Sequence, residues 1–169
     1  MVSTKTSRAA ALGLGLILAA CGGDSSPTTA PVTPPPDVAG SYYASWTLQV
    51  LRKSDGFQNS FYCSGQLTLV QGPSAAGTAP LTGFAVVSYP CAAESYDLRG
   101  TVVAGGGVDF KTNGPRPLEG PCPGGQNVAF SGQITSQDGW RSLSARGVTT
   151  VQCPQFGEHE FTYLIQGSR

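Results

Sequence analysis

The fold class is decided by one stretch of the sequence, Gly40-Ser41-Tyr42-Tyr43-Ala44-Ser45-Trp46-Thr47-Leu48-Gln49-Val50. Every second residue from Tyr42 to Val50 is apolar, and the residues between them are mostly polar. Successive side chains of a β-strand point to opposite faces, so a period of two separates an apolar face from a polar one. The stretch therefore predicts a half-buried β-strand.

Similar alternation recurs seven times downstream and is separated by turn signals such as Asp55-Gly56, Gly105-Gly106-Gly107 and Asp138-Gly139. The further strands are predicted at residues 61–69, 81–89, 95–104, 108–111, 127–135, 143–151 and 159–166. The segment 113–125 is rich in Pro and Gly and is expected to be an irregular loop.

Eight short strands without a convincing helix predict an all-β domain. The favoured architecture is an eight-stranded antiparallel up-and-down β-barrel, with a β-sandwich as the alternative. Glycines at positions 65, 100, 132 and 147 lie inside predicted strands. Glycine inside a strand often marks the sharp bend of a small barrel, and closure removes the edge strands that invite aggregation.

Composition and charge place the chain among exported β proteins. Only 12% of its residues are charged, with ten basic and ten acidic residues. Lys5 and Arg8 precede the apolar run, which leaves eight basic against ten acidic residues after it. That balance argues against nucleic acid as a partner. Residues 39–169 are long enough for one domain, which we expect to be a monomer.

The first twenty residues have the pattern of a signal peptide. Lys5 and Arg8 are followed by the apolar run 9–20 and then by Cys21. As a helix this run would span roughly 18 Å, which is too short for a hydrocarbon core about 30 Å thick. We therefore expect a cleaved leader rather than a transmembrane segment.

The sequence Leu18-Ala19-Ala20-Cys21 resembles the lipobox of bacterial lipoproteins. This resemblance implies cleavage by signal peptidase II between Ala20 and Cys21, and lipidation of Cys21 with a diacylglycerol that carries chains such as palmitate. Gly22, rather than Asp, follows the cysteine, which resembles the pattern sorted to the outer membrane. We expect a lipid-anchored protein of the cell envelope; an ordinary secretory leader with a chance cysteine is the alternative.

Residues 21–38 are predicted to form a disordered tether. They contain Pro27, Pro31, Pro34, Pro35 and Pro36 among Ser and Thr, with little that could be buried. If the segment were fully polyproline-like, it would reach roughly 50 Å at about 3.1 Å per residue. This length would hold the barrel away from the lipid headgroups.

Four cysteines remain beyond Cys21, an even number in an exported domain. We predict two disulfides, Cys63 with Cys91 and Cys122 with Cys153, because each pair brackets a locally connected set of strands. A zinc site is not favoured, since the chain has no C-x-x-C and His159 is its only histidine. No metal and no other cofactor is expected.

A short internal similarity accompanies these pairs. Ser64-Gly65-Gln66-Leu67-Thr68 returns as Ser131-Gly132-Gln133-Ile134-Thr135. Each copy is followed by a glycine-bearing strand that ends near Cys91 or Cys153. The similarity reflects either a duplicated three-strand unit or the shared chemistry of hairpins.

Catalytic chemistry is not indicated by the sequence. His159, between Glu158 and Glu160, would be a general base or a pH switch in a functional interpretation, but no nucleophile accompanies it. We predict that it is a surface residue. The acids are scattered over outward faces and turns, and no pair of carboxylates can be assigned to acid and base roles: Asp97, Asp109, Glu119 and Asp138. We therefore do not expect an enzyme.

Aromatic residues on the predicted inward faces are the candidates for ligand binding. They form the core in the simplest interpretation, and they line a pocket if the barrel interior is open. The inward set comprises Tyr42, Trp46, Phe84, Tyr96, Phe110, Phe130, Phe161 and Tyr163. The ligand-binding candidates among them are Tyr42, Trp46, Phe84, Phe110, Phe130 and Phe161.

The eight strands and the sequence Gly40-Ser41-Tyr42 resemble the calycin and lipocalin barrels, whose first strand carries Gly-x-Trp and whose last strands carry a packing Arg. Here Tyr42 stands at the Trp position, and Arg146 is the candidate for the packing Arg. The resemblance implies a barrel that binds a small hydrophobic ligand. Outer-membrane lysozyme inhibitors are also lipoproteins with small disulfide-bearing barrels, so the alternative is a barrel whose loops bind and inhibit an envelope protein.

Overall fold

The computed structural model describes residues 31–118 and 122–169. Eight strands account for most of them: β1 (Gly40–Arg52), β2 (Gln58–Gln71), β3 (Thr78–Ser88), β4 (Glu94–Val103), β5 (Gly107–Thr112), β6 (Val128–Gln137), β7 (Trp140–Cys153) and β8 (Gly157–Ser168). In these two segments no helix is long and apolar enough to cross a membrane.

The sheet is a closed barrel in which each strand pairs with the next and β8 pairs with β1. All eight pairings are antiparallel. The closing β1–β8 pair runs from Tyr43 opposite Ser168 to Arg52 opposite His159. The predicted up-and-down barrel is confirmed, and the β-sandwich alternative is wrong.

The alternation in β1 produces the burial expected from it. Tyr42, Ala44, Trp46 and Leu48 are buried inside the barrel, while Tyr43 is exposed on the outer face. Other strands add large side chains, and the rings of Phe110 and Phe130 stack with their centroids 5.2 Å apart. The middle of the barrel is therefore a packed core. Among its largest fully buried side chains are Trp46, Tyr42, Tyr163, Phe130, Phe161 and Leu48.

Glycine permits close strand contacts at the two repeated positions. A Cβ atom on Gly65 would collide with the backbone carbonyl oxygen of Val86 in the neighbouring strand. A Cβ atom on Gly132 would likewise collide with the carbonyl oxygen of Ser144. Both glycines thus lie where the coiling of a small barrel brings adjacent backbones together.

Successive connections lie at opposite ends of the barrel, which are here called the lower end and the upper end. The lower end carries the turns 72–77, 104–106 and 138–139, together with residues 31–39 and Arg169. The upper end carries residues 53–57, 89–93 and 154–156, and the long β5–β6 connection, of which 113–118 and 122–127 are described.

The lower end is closed by a tyrosine and an arginine. The hydroxyl of Tyr42 donates a hydrogen bond of 2.9 Å to the carbonyl oxygen of Val38, which is fully buried. The guanidinium carbon of Arg169 lies 5.4 Å from the centroid of the Tyr42 ring.

The prediction that Arg146 is the packing Arg was wrong. Its side chain is exposed on the outer face, because its neighbours Ala145 and Gly147 face inward.

Both predicted disulfides are present. Cys63 is bonded to Cys91, with Cα atoms 5.5 Å apart, and Cys122 is bonded to Cys153, with Cα atoms 4.5 Å apart. Cys91 and Cys122 lie in upper-end connections, and Cys153 is the last residue of β7. The two bonds therefore tie upper-end loops to the strands.

Candidate functional site

Most of the aromatic ligand-binding candidates belong to the core. Tyr42, Trp46, Phe110 and Phe130 are each at most 3% exposed. Phe84 was placed wrongly: it is 43% exposed on the outer face of β3. Alternation in β3 turns its neighbours Gly83 and Ala85 inward and therefore turns Phe84 outward. Phe161 is the one candidate in this set that lines the upper-end cavity described next.

A cavity of about 160 Å³, here called the mouth cavity, opens at the upper end of the barrel. Its walls are supplied by the end of β1, the starts of β2 and β8, two turns and the long connection. Its lining residues are Val50, Arg52, Phe57, Asn59, Phe61, Pro117, Cys122, Phe156, His159 and Phe161. Four phenylalanines make the surface largely apolar, and Arg52 and His159 are the ionisable groups among these lining residues.

Arg52 lies between two phenylalanines of the rim. Its guanidinium carbon is 4.9 Å from the ring centroid of Phe57 and 5.4 Å from that of Phe156. These distances are typical of cation–π contacts. Its Nε lies 3.4 Å from an Asp55 carboxylate oxygen, but it has no properly oriented hydrogen-bond partner in the described residues. The aromatic contacts therefore hold a cation at the entrance to an apolar cavity.

His159 is buried, and the prediction of a surface residue was wrong. The side chain is 5% exposed, because alternation in β8 turns His159 inward together with Phe161 and Tyr163. Its Nδ1 lies 3.1 Å from the carbonyl oxygen of Gly157. If Nδ1 donates this hydrogen bond, a neutral ring keeps Nε2 as an acceptor or metal ligand.

A second, more polar cleft of about 460 Å³ lies at the same end. Its carboxylate, on Glu94, accepts hydrogen bonds from the hydroxyl of Tyr96 and, at 3.0 Å, from Nε of Arg116. The hydrogen bond from Tyr96 is the main cause that lowers the pKa of Glu94, and burial is the main cause that raises the pKa of Tyr96. Because these groups bind one another, we regard the mouth cavity as the better ligand site.

Sequence reasoning missed three rim residues, Arg52, Phe57 and Phe156. The two phenylalanines stand beside turn glycines, in Gly56-Phe57 and Phe156-Gly157. Turns are usually polar, so an aromatic residue beside a turn glycine was the available signal. The turns that carry Phe57 and Phe156 meet because β8 pairs with β1, and the sequence does not show this pairing.

Several predictions concern residues outside the described part of the chain. Ala20, Cys21 and the first part of the tether lie there, as does Glu119. Cleavage, lipidation and membrane sorting thus stay predictions. Comparisons with family models, with curated proteins and with solved structures find no match to this chain.

Proposed function

We propose that this protein is a lipoprotein of the cell envelope, anchored through Cys21 and sorted to the outer membrane, whose barrel binds a small hydrophobic ligand in the mouth cavity. The lipobox-like sequence Leu18-Ala19-Ala20-Cys21 supports the anchor. The presence of two disulfides agrees with an oxidising compartment.

The observation that carries the ligand proposal is an apolar, aromatic-lined cavity above a core that is otherwise well packed. Its volume of about 160 Å³ is close to that of an engineered cavity, about 150 Å³, that binds benzene. Drug-sized pockets are larger, at roughly 300–1,000 Å³. The buried part of the ligand is therefore one aromatic ring or a short alkyl chain, and any remainder extends past Phe57 and Phe156.

The position of the cavity also supports binding away from the membrane. Residues 31–39 join the barrel at the lower end, and the mouth cavity lies at the upper end. A proline-rich tether between Cys21 and Val38 would reach roughly 50 Å and hold the barrel clear of the lipid headgroups.

Calorimetric titration with benzyl alcohol tests the cavity directly, using the full chain with Cys21→Ala in detergent. Saturable binding is expected. Replacing both rim phenylalanines, Phe57→Ser and Phe156→Ser, should weaken it at least several-fold. Tyr62→Ser is the matched control, because Tyr62 is an exposed aromatic residue on the outer face of β2. No binding, or equal weakening by the control, would refute the proposal.

The natural ligand is best sought in protein from its own host. Native mass spectrometry of the purified full chain should show a mass adduct that is lost in the Phe57→Ser, Phe156→Ser variant. An adduct that is unchanged in that variant would place the ligand elsewhere.

A second candidate function is protein binding through the upper-end loops, as in an inhibitor of an envelope enzyme. The observation that favours it is a set of exposed large apolar side chains at this end: Phe57, Tyr89, Leu118 and Phe156. Protein interfaces are enriched in aromatic anchors of this kind. In this case Tyr89→Ser with Leu118→Ser should abolish co-purification of a host protein and leave benzyl alcohol binding unchanged.

A further inference from the structure

Three side chains of metal-binding types lie together beside the mouth cavity, and two of them, Cys122 and His159, line it. The sulfur atoms of Cys122 and Cys153 and a ring nitrogen of His159 all lie within 4.8 Å of one another. Cys153 and His159 are buried, and Cys122 is partly buried. The other disulfide, Cys63–Cys91, has no such histidine, since His159 is the only one in the sequence.

The β7–β8 hairpin explains this arrangement. Cys153, the last residue of β7, pairs with Gly157, the first residue of β8, and His159 follows two positions later on the same inner face. The disulfide adds Cys122 from the long connection. Two of the three groups are therefore fixed by strand pairing and do not depend on the disulfide for their position.

We propose that Cys122, Cys153 and His159 bind one Cu(I) ion when their disulfide is reduced. A reductant first supplies two electrons that convert the disulfide into two thiols. An external dithiol also supplies the two protons and becomes a disulfide, whereas with a phosphine one water molecule supplies the two protons and the oxygen of the resulting phosphine oxide. The two thiols then release two protons as they bind the ion, and the His159 ring donates a nitrogen lone pair.

The surroundings favour a soft, monovalent ion. Thiolate and imidazole ligands suit Cu(I), whereas zinc completes a tetrahedral site with a fourth ligand, either a side chain or a water molecule. The lining residues given above for the mouth cavity include no carboxylate to supply that ligand. Two thiolates and one Cu(I) carry a net charge of −1, and the cation of Arg52, the β1 register partner of His159, can balance it.

Competition for Cu(I) tests the proposal. The full chain with Cys21→Ala is reduced anaerobically with a phosphine, desalted and titrated with the coloured bicinchoninate complex of Cu(I). Transfer of one Cu(I) per chain is expected, with no transfer to the oxidised chain. X-ray absorption of the loaded protein should show two sulfur donors and one nitrogen donor.

Matched variants separate this site from general thiol chemistry. Cys63→Ser with Cys91→Ser should retain Cu(I) binding, and Cys122→Ser with Cys153→Ser should abolish it. His159→Gln should weaken it by roughly 100-fold or more, because loss of a residue that only supports a ligand typically costs about 10–100-fold in metal affinity. Equal binding by the two cysteine-pair variants, absence of a nitrogen donor, or preferential binding of Zn²⁺ would overturn the proposal.

Fluorescence of the tryptophans reports whether the barrel stays folded, since Trp46 is fully buried. The reduced, Cu(I)-loaded chain should keep the emission maximum of the oxidised chain. A shift of this maximum to the wavelength of the unfolded chain would also refute the proposal. Benzyl alcohol binding by the oxidised chain is independent of this experiment, so failure of either proposal leaves the other standing.

Discussion

The two ends of the barrel are closed in different ways. At the lower end the turns 104–106 and 138–139 are short, the connection 72–77 is longer, and the guanidinium of Arg169 lies over the ring of Tyr42. At the upper end the β5–β6 connection spans 113–127, two disulfides tie loops to strands, and the mouth cavity remains. The lower end is thus closed without a disulfide, whereas at the upper end two disulfides hold loops against the strands and a cavity remains beside them.

The largest difference in stability is expected between replacing a buried aromatic residue at the lower end and replacing an exposed one at the upper end. Tyr42→Ala should lower the free energy of unfolding by about 3–5 kcal/mol, because it leaves a cavity in a packed region. Phe57→Ala should lower it by no more than about 1 kcal/mol, since the side chain is 54% exposed and loses only its contact with Arg52 at the rim. Urea unfolding followed by tryptophan fluorescence measures both, and equal losses would contradict the comparison.

Removing the Cys122–Cys153 bond should lower the free energy of unfolding by nearly as much as Tyr42→Ala. In the folded state it should loosen mainly the upper end. The bond joins residues 31 apart, and the loss of its restraint on the unfolded chain corresponds to about 3.5 kcal/mol. In the Cys122→Ser, Cys153→Ser variant, amides of residues 122–127 should exchange hydrogen faster, while those near Tyr42 should keep their protection relative to global unfolding. Preferential loosening near Tyr42 would show that the ends are not independent.

Removal of a single tyrosine hydroxyl at each end should have a smaller effect on the free energy of unfolding. Tyr163→Phe should cost about 1–3 kcal/mol, because the buried backbone N–H of Gly125 then loses its 2.9 Å acceptor. Tyr42→Phe should cost about 1 kcal/mol, since it removes the hydrogen bond donated to Val38. Thermal and urea unfolding of the two variants should place the larger loss at the upper end; the opposite order would contradict this assignment.

The smallest expected effect is a loss of stability at alkaline pH. Burial raises the pKa of Tyr163 above its ordinary value of 10.0, so the folded state holds this proton more tightly than the unfolded state. The resulting stability is complete below pH 10 and is lost as pH rises towards the folded pKa. By pH 10.5 the loss is roughly 0.8 kcal/mol for this tyrosine. Urea unfolding from pH 9 to 10.5 measures this effect: the free energy of unfolding should fall less steeply with pH in Tyr163→Phe than in the unchanged protein.

Much of the fold could be predicted because closure leaves little freedom. The alternation in β1 defined an inner face, and turn signals separated eight strands. Both disulfide pairs were predicted because each brackets a locally connected set of strands. Phe84 shows where alternation is ambiguous: Leu81, Ala85 and Val87 are apolar at one parity, and Phe84 and Val86 are apolar at the other. The β2–β3 register resolves this choice and places Phe84 opposite the outward-facing Thr68.

The candidate site was harder to predict because its residues are distant in sequence. His159 lies between two glutamates, which suggested a surface position, although it shares the parity of Phe161 and Tyr163 in the last strand. Its placement follows from pairing with Arg52 on one side and Val151 on the other. Phe57 and Phe156 come together for the same reason, since β8 closes onto β1.

Pairing between the first and last strands also makes the barrel suitable for circular permutation. Gly40 and Arg169 lie at the same end, where a Cβ atom on Gly40 would contact the Arg169 guanidinium. A short linker could join these positions, and new termini could be opened in the exposed Asp138–Gly139 turn at that same end. Such a rearranged chain would keep all eight strand pairings and both disulfides while changing the order in which the strands are synthesised.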